Sequence, residues 1–300
     1  MTDVLQLLSE IDDEANVFLS DLSVLEKKMF DKILLLIKDL ETDKRTGKIK
    51  NNLKNIKLIG QLKKEIRSVV LSKPYLKSVT KYTRLFDKVD KVNDRYLADL
   101  FNEEGKAKVL EEIKKANIDA TIQQLTESGI AGGFEIELNK ILRTNITSGG
   151  SYSDLADNLR RMVVGDEESE SYMQKNANRI VKDAVHQYNR GYMKTVSEDL
   201  GFEWFEYIGS LKENSREFCK HMVEKRYFHK SEIPDLLEGN IDGEQIDIYD
   251  KTGLPQGMIE GTNEDNFQIL AGGYGCNHGI YPVPEVNVPE EVRDLILKDS

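Results

Sequence analysis

Two cysteines, one tryptophan, four histidines and six prolines are all that this 300-residue chain holds of the residues that staple or punctuate a fold. Two cysteines are too few for the disulfide framework of a secreted scaffold. No apolar run can span a bilayer. The longest, Ile33–Ile37, is closed by Lys32 and Lys38, whereas a spanning helix needs roughly 20 apolar residues. The start, Met1-Thr-Asp, lacks the basic region of a secretory signal. The expectation is a chain made in a cytoplasm, soluble and without membrane contact. Signatures of catalysis are missing too: there is no Gly-x-Ser-x-Gly elbow, Walker A loop, His-Glu-x-x-His or glycine-rich dinucleotide loop.

What the chain has instead is charge and helical periodicity. Charged residues make up 32% against 39% hydrophobic, and the net charge is −11. Lys38–Arg95 carries 17 Lys/Arg against 7 Asp/Glu, whereas Asp199–Ser300 carries 9 against 21. A solvated helical face accounts for most of the lysines; contact with DNA is the sharper alternative, disfavoured by the overall acidity.

Residues 3–42 read as one long helix or a pair. Leu5, Leu8, Ile11, Ala15, Phe18, Leu19, Leu22, Leu25, Met29, Ile33 and Ile37 recur at helical steps. The stripe fits packing on its own domain, a coiled coil, or docking on a partner. Helical patterns continue over Asn51–Ser72, ended by Pro74, then Tyr75–Phe101 and Gly105–Ile118. Asp119 reads as the N-cap of Ala120–Ser128. Gly129–Gly133 is a break before a helix over Phe134–Asn145, and Thr147–Tyr152 is a loop. Ser153 caps Asp154–Val164, and a long helix follows the acidic Asp166–Glu170 as far as Leu200, stopped by Gly201.

After Gly201 the period changes. Phe202–Ile208 is aromatic and β-branched and predicts a strand, with a second at Tyr227-Phe228. Asn214-Ser-Arg-Glu217 fits a capping box opening a helix through about Lys225. Ser231–Leu237 is a helical turn, Ile241–Thr262 a Gly/Asp-rich loop, Ile280–Pro284 extended, and Pro289–Lys298 a last helix. The expected fold is mainly α: a helical region over 1–165, for docking and assembly, and a small α+β module over 166–300.

Gln268–Glu285, QILAGGYGCNHGIYPVPE, closes this module. Its Cys276-x-His278 mirrors Cys219-x-His221. On a helix, two residues turn by roughly 200°, so Cys219 and His221 cannot easily ligate the same ion. In an extended segment, Cys276 and His278 share a face. The best-formed metal set is Cys219, Cys276 and His278, with His229 or an acid as fourth ligand, suited to structural zinc. A disulfide and a buried thiol pair remain open, and any structural link ranks above a catalytic site.

Lys175–Glu285 resembles the C-terminal domain of the Mu F-like head morphogenesis family of phage minor head proteins. Four segments carry the likeness: a helix with Arg179 and then Tyr188-Asn189-x-Gly191; a strand around Trp204; Ser215-Arg216-x-x-Cys219; and Gly272-Gly273-Tyr274-x-Cys276-x-His278, followed by Pro282-Val283. Gly275 and Asn277 stand where the family usually has Asn and Arg. The resemblance implies a non-catalytic structural protein of a tailed-phage head, placed in the head interior or at the portal vertex. It implies partners among the portal and other head proteins and an oligomeric arrangement in the virion. Contact with packaged DNA through Lys38–Arg95, outside the matched region, is an expectation from that stretch's basic charge alone. A metal-dependent hydrolase or nuclease using His221, His229 and His278 is the rival.

Overall fold

The computed structural model describes residues 2–101, 108–126, 129–249 and 253–298. Its elements run α1 (Thr2–Ile37), α2 (Leu53–Val70), α3 (Lys73–Thr83), α4 (Leu85–Phe101), α5 (Lys108–Leu125), α6 (Ile130–Ser148), α7 (Tyr152–Val164) and α8 (Tyr172–Leu200). Then come β1 (Trp204–Ile208), α9 (Glu217–Lys225), β2 (Tyr227–His229), α10 (Ile233–Glu238), β3 (Asn240–Ile241), β4 (Glu244–Gln245), β5 (Ile248–Tyr249), β6 (Leu254–Pro255), α11 (Phe267–Leu270), β7 (Gly279–Pro282) and α12 (Glu290–Lys298). The chain is mainly α with a small sheet near its C-terminal end, as its periodicity predicts.

The chain forms two compact units, and neither is a single segment. One comprises Met1–Asp13, Arg84–Ile118 and Val181–Ser300; the other comprises Glu14–Thr83 and Asp119–Ile180. The expected single cut between residues 165 and 166 is therefore not where the contacts divide. The boundary falls inside α1, α5 and α8, because helix continuity is local whereas packing is not.

α1 is one unbroken helix. Its buried line is Val4, Leu7, Ile11, Ala15, Phe18, Leu22, Leu25, Met29, Ile33 and Ile37. These steps average close to the 3.6-residue α period, so the apolar stripe stays on one side over the helix's length. Leu5 is exposed and Leu19 half-buried, Leu8 is buried as predicted, and Val4 and Leu7 join the line at the N-terminal end. These stripe residues are buried within this chain.

In the helical unit, α2 packs on α6 and α6 on α7. Pro74 sits in the first turn of α3, where its missing N–H goes unneeded. Gly132 and Gly133 lie inside α6 rather than before it: a Cβ on Gly133 would stand 2.1 Å from the Tyr172 hydroxyl, so glycine admits close packing here. α7 starts earlier than predicted. Ser151, not Ser153, caps it in a reciprocal box with Asp154. Asp119 caps nothing, because α5 runs straight through it; Asn117 bonds back to the Ile113 carbonyl without breaking the helix. The starts of the predicted Gly105–Ile118 and the end of Ala120–Ser128 lie partly outside the described residues.

In the sheet-bearing unit, β1 is the central strand, antiparallel to β2 on one side and β7 on the other. All five β1 residues are buried, and strand alternation sends them to two cores. Phe205 and Tyr207 join Phe218, Met222, Phe228, Phe267, Ile280 and both cysteines in the larger core. Trp204 packs with Val283 and Val288 in a smaller one. On the Trp204 side, Glu206 takes the Arg226 guanidinium at 2.7 Å, with the carboxylate 2% exposed. α4 and α8 meet through buried polar contacts: Asn189 accepts from the Asn93 amide at 2.9 Å and bonds the Tyr281 hydroxyl at 2.8 Å, while the Tyr96 hydroxyl donates to the Pro282 carbonyl. The Ile241–Thr262 stretch is not wholly loop. Asp242 and Gly243, both at positive φ, close a two-residue hairpin between β3 and β4. Its residues 250–252 lie outside the described residues.

Candidate functional site

Cys219 faces inward from α9 into the larger core. His221, two residues on, lies on the other side of the helix, half-buried and 3.5 Å from Glu244, as the helical turn requires. Cys276 and His278 lie in the irregular run that feeds β7 and share the parity of Ile280, so both face the same core. The three side chains converge: their ligand atoms all lie within 4.8 Å of one another, and they are the one such group of three among the described residues. The two sulfurs are 4.0 Å apart, and Cys276 Sγ is 3.5 Å from His278 Nδ1. Both cysteines are free thiols. A disulfide needs the sulfurs at about 2.05 Å.

Tyr207, from the middle of β1, completes the arrangement. Its hydroxyl lies 3.5 Å from each sulfur, and its ring stacks on His278 at 5.1 Å between centroids and 22° between planes. Burial holds its pKa well above the usual phenol range, so the hydroxyl stays protonated. The sulfurs are unequal. A hydrogen bond from Cys219, then contacts from His278 and the Arg190 guanidinium, hold Cys276 well below an ordinary thiol, while that same sulfur–sulfur bond and burial push Cys219 up. Cys276 is the sulfur that deprotonates first.

The glycines make room for this. A Cβ on Gly272 would sit 2.1 Å from Cys276 Sγ, and one on Gly209 would sit 2.4 Å from the His278 ring. Gly272, Gly273 and Gly275 all have positive φ, at 88°, 74° and 70°, which L side chains adopt only with strain. Two arginines hold the resulting loop by its carbonyls. Arg216 donates from Nη1 to Gly272 at 2.7 Å and from Nη2 to Tyr274 at 2.6 Å; Arg190, fully buried, donates to Ala271 at 2.5 Å. Asp183 accepts from the Gly275 amide at 2.6 Å. Asp12 takes His186 Nε2, Lys212 Nζ and Asn277 Nδ2 at 3.3, 2.6 and 3.2 Å. Although burial opposes it, His186 and Lys212 keep Asp12 ionised.

The predicted residues thus divide. Cys219, Cys276, His278, Arg216, Gly272 and Gly273 form one constellation, and Asn189 braces the same unit through Tyr281. Tyr274 contributes its carbonyl, its ring being exposed. Trp204 lies on the opposite side of β1. His229 is not a fourth ligand: Phe228 faces the larger core, so its neighbour faces the other way, packing on Trp204 and hydrogen-bonding Ser231. Arg179 is exposed and belongs to the helical unit. The capping box predicted over 214–217, with Asn214 as the cap, does not form. The Ser215 hydroxyl accepts from the Lys212 amide, and Arg216 occupies the cap position without a side-chain cap bond. Sequence reasoning missed Tyr207, Gly209, Arg190 and Asp183. Only Tyr207 carried a signal, being an aromatic with a polar tip on the Phe205 face of a strand already predicted.

His221, His229 and His278 are not brought together. A groove of about 580 Å³ beside the glycine loop is lined by Arg216, Met258, Ile259, Glu260, Gly273 and Tyr274 among others, with one acid and no histidine. An acid-lined groove of about 670 Å³ holds Glu232, Asp235 and Asp242, but Glu232 and Asp242 both pair with Lys225. In the basic Lys38–Arg95 stretch, Lys54, Arg67, Lys81, Lys88 and Arg95 pair with Glu41, Glu135, Glu14, Glu10 and Asp3 respectively. No described helix is long and apolar enough to cross a membrane. No family model, curated protein or solved structure matches this chain.

Proposed function

We propose that this protein is a structural minor head protein of a tailed bacteriophage. In this reading it sits in the head interior or at the portal vertex, contacts portal or other head proteins, and serves head assembly and DNA packaging or ejection without catalysis. The observation that carries the reading is that motif residues far apart in sequence build one buried clasp. Arg216 grips the Gly272–Tyr274 loop, that loop sets Cys276 and His278, and both meet Cys219 inside a hydrophobic core. Cys219, Cys276 and His278 are each 3% exposed or less, and groups so enclosed hold a shape rather than receive a substrate. DNA contact through Lys38–Arg95 belongs to this proposal in a reduced form, since five of its cations already have acidic partners.

Quantitative mass spectrometry of gradient-purified particles, beside DNA-free heads of the same phage, tests the reading. The protein is expected in both at low copy number. Its absence from every particle while the portal protein is detected would refute a place in the virion.

A further inference from the structure

We infer that Cys219, Cys276 and His278, with the Tyr207 hydroxyl at the fourth corner, form a closed binding site for one zinc ion. The site is independent of the virion role and stands or falls without it.

The first argument is metric. Zinc takes thiolate sulfur at about 2.3 Å and imidazole nitrogen or oxygen at about 2.0–2.1 Å in a tetrahedron. Those lengths set the ligand–ligand edges at about 3.8 Å for two sulfurs, about 3.6 Å for sulfur and nitrogen, and about 3.5 Å for sulfur and oxygen. The protein has 4.0 Å between the sulfurs, 3.5 Å from Cys276 to His278 Nδ1, and 3.5 Å from the Tyr207 oxygen to each sulfur. Four edges of the tetrahedron are present before any ion enters.

The second argument is chemical. The surrounding core is Phe205, Phe218, Met222, Phe228, Ile280 and similar residues. Polar tips that turn toward one another in such a place lose hydration without gaining strong partners. A thiol pair alone needs neither a hydroxyl against both sulfurs nor an imidazole nitrogen turned onto one. His278 Nε2 is also buried with no hydrogen-bond partner among the described residues, so ring stacking and Nδ1 alone hold the imidazole. A shared cation gives all four atoms a strong partner at once.

The third argument is charge balance. Each thiol loses one proton on binding, and two thiolates with a neutral imidazole and a neutral phenol leave the zinc site without net charge. A buried site has to be neutral or paired. Four protein ligands also close the coordination shell, which marks a structural centre rather than a catalytic one. The ion would tie α9, β1 and the segment before β7 together, with the two cysteines 57 positions apart in sequence.

The 300-residue chain, expressed with zinc in the medium and desalted, is the material for the test. Elemental analysis is expected to find about one zinc per chain. Cobalt replacement is expected to give thiolate-to-cobalt charge transfer with the intense visible bands of a tetrahedral ion. Cys219→Ser, Cys276→Ser and His278→Ala should each lose most of the metal. Tyr207→Phe should shift the cobalt bands and weaken binding about tenfold or more, on the scale seen when a metal site loses a supporting group. Because the cysteine and histidine variants remove core contacts as well, the wild-type chain carries the decisive measurement. If it is folded by circular dichroism, holds no zinc, takes up no cobalt, and shows two thiols to a thiol reagent, the inference fails. A stoichiometric metal other than zinc, or the weak spectrum of octahedral cobalt, overturns it equally. An unchanged cobalt spectrum in Tyr207→Phe overturns the fourth corner.

Discussion

Gly272→Ala separates two effects that the glycine loop combines. A methyl at this position meets a backbone at φ 88° and lands 2.1 Å from Cys276 Sγ, 2.8 Å from Cys276 Cβ and 3.1 Å from the Tyr207 hydroxyl. Left-handed strain for an L residue costs about 1–2 kcal/mol. Forcing an extra carbon into a packed core costs about 1–3 kcal/mol, and none of these neighbours is the loose end of a long side chain. The sum is roughly 2–5 kcal/mol, and at about 3 °C per kcal/mol it lowers Tm by roughly 6–15 °C. Gly275→Ala is the control: its φ is 70°, but a Cβ there meets nothing within 4 Å. It carries the strain alone, about 1–2 kcal/mol, and keeps the amide that bonds Asp183. Thermal unfolding and urea titration of both variants, followed by near-UV circular dichroism of the Tyr207 environment, read the difference. Equal losses in the two variants would refute the claim that Gly272 is required by the sulfur rather than by the turn.

Arg216→Ala removes both bonds to the loop carbonyls and is expected to cost about 2–3 kcal/mol, with Arg216→Lys recovering part of it. Faster amide exchange over residues 272–276, with α1 and α2 unchanged, is the expected readout. Asn189→Ala leaves the Asn93 amide and the Tyr281 hydroxyl short of partners in a dry place and should cost about 2–4 kcal/mol, against about 1 kcal/mol for Tyr281→Phe, in denaturant unfolding. Glu26 is buried, bonded by the Ser171 hydroxyl and Gln174, and burial raises its pKa to about 7. The folded state then holds a proton that the unfolded chain releases near pH 4.5, so this group's contribution is full below pH 4.5 and lost as pH rises to 7. Glu26→Gln should therefore be near neutral at pH 4.5 and stabilising by roughly 2–3 kcal/mol at pH 8, at about 1.36 kcal/mol per pKa unit. The same difference at both pH values would refute the assignment.

Period and parity explain what could be read from the sequence and what could not. The α1 stripe was legible because ten apolar residues keep one period over 36 residues. Leu5 and Leu19 misled because an apolar residue beside a stripe looks the same in sequence as one within it. Parity brought Cys276 and His278 to one face and separated Cys219 from His221. Applied to β2, the same rule would have rejected His229, since Phe228 beside it had to be the buried one. Breaks were overread at Asp119 and Gly132-Gly133: a poor helix former costs under about 1 kcal/mol, which packing outweighs. Arg190 and Asp183 were not legible, because nothing local to α8 reveals a carbonyl arriving from residue 271 or an amide from residue 275.

The sheet-bearing unit is drawn from three stretches of chain, and its closing contacts are distant ones. Asn93 meets Asn189, and Tyr96 meets Pro282, 186 residues later. During synthesis, α4 leaves the ribosome long before its partners exist. Tyr96 and Asn93 then wait in a half-built core until β7 is made. Folding of this unit is consequently governed by the last tenth of the chain, and loop closure over such separations is slow. A fragment beginning at residue 166 contains every motif of the clasp but lacks α4. Tyr281 and Asn189 would then face solvent where the full chain supplies Tyr96 and Asn93.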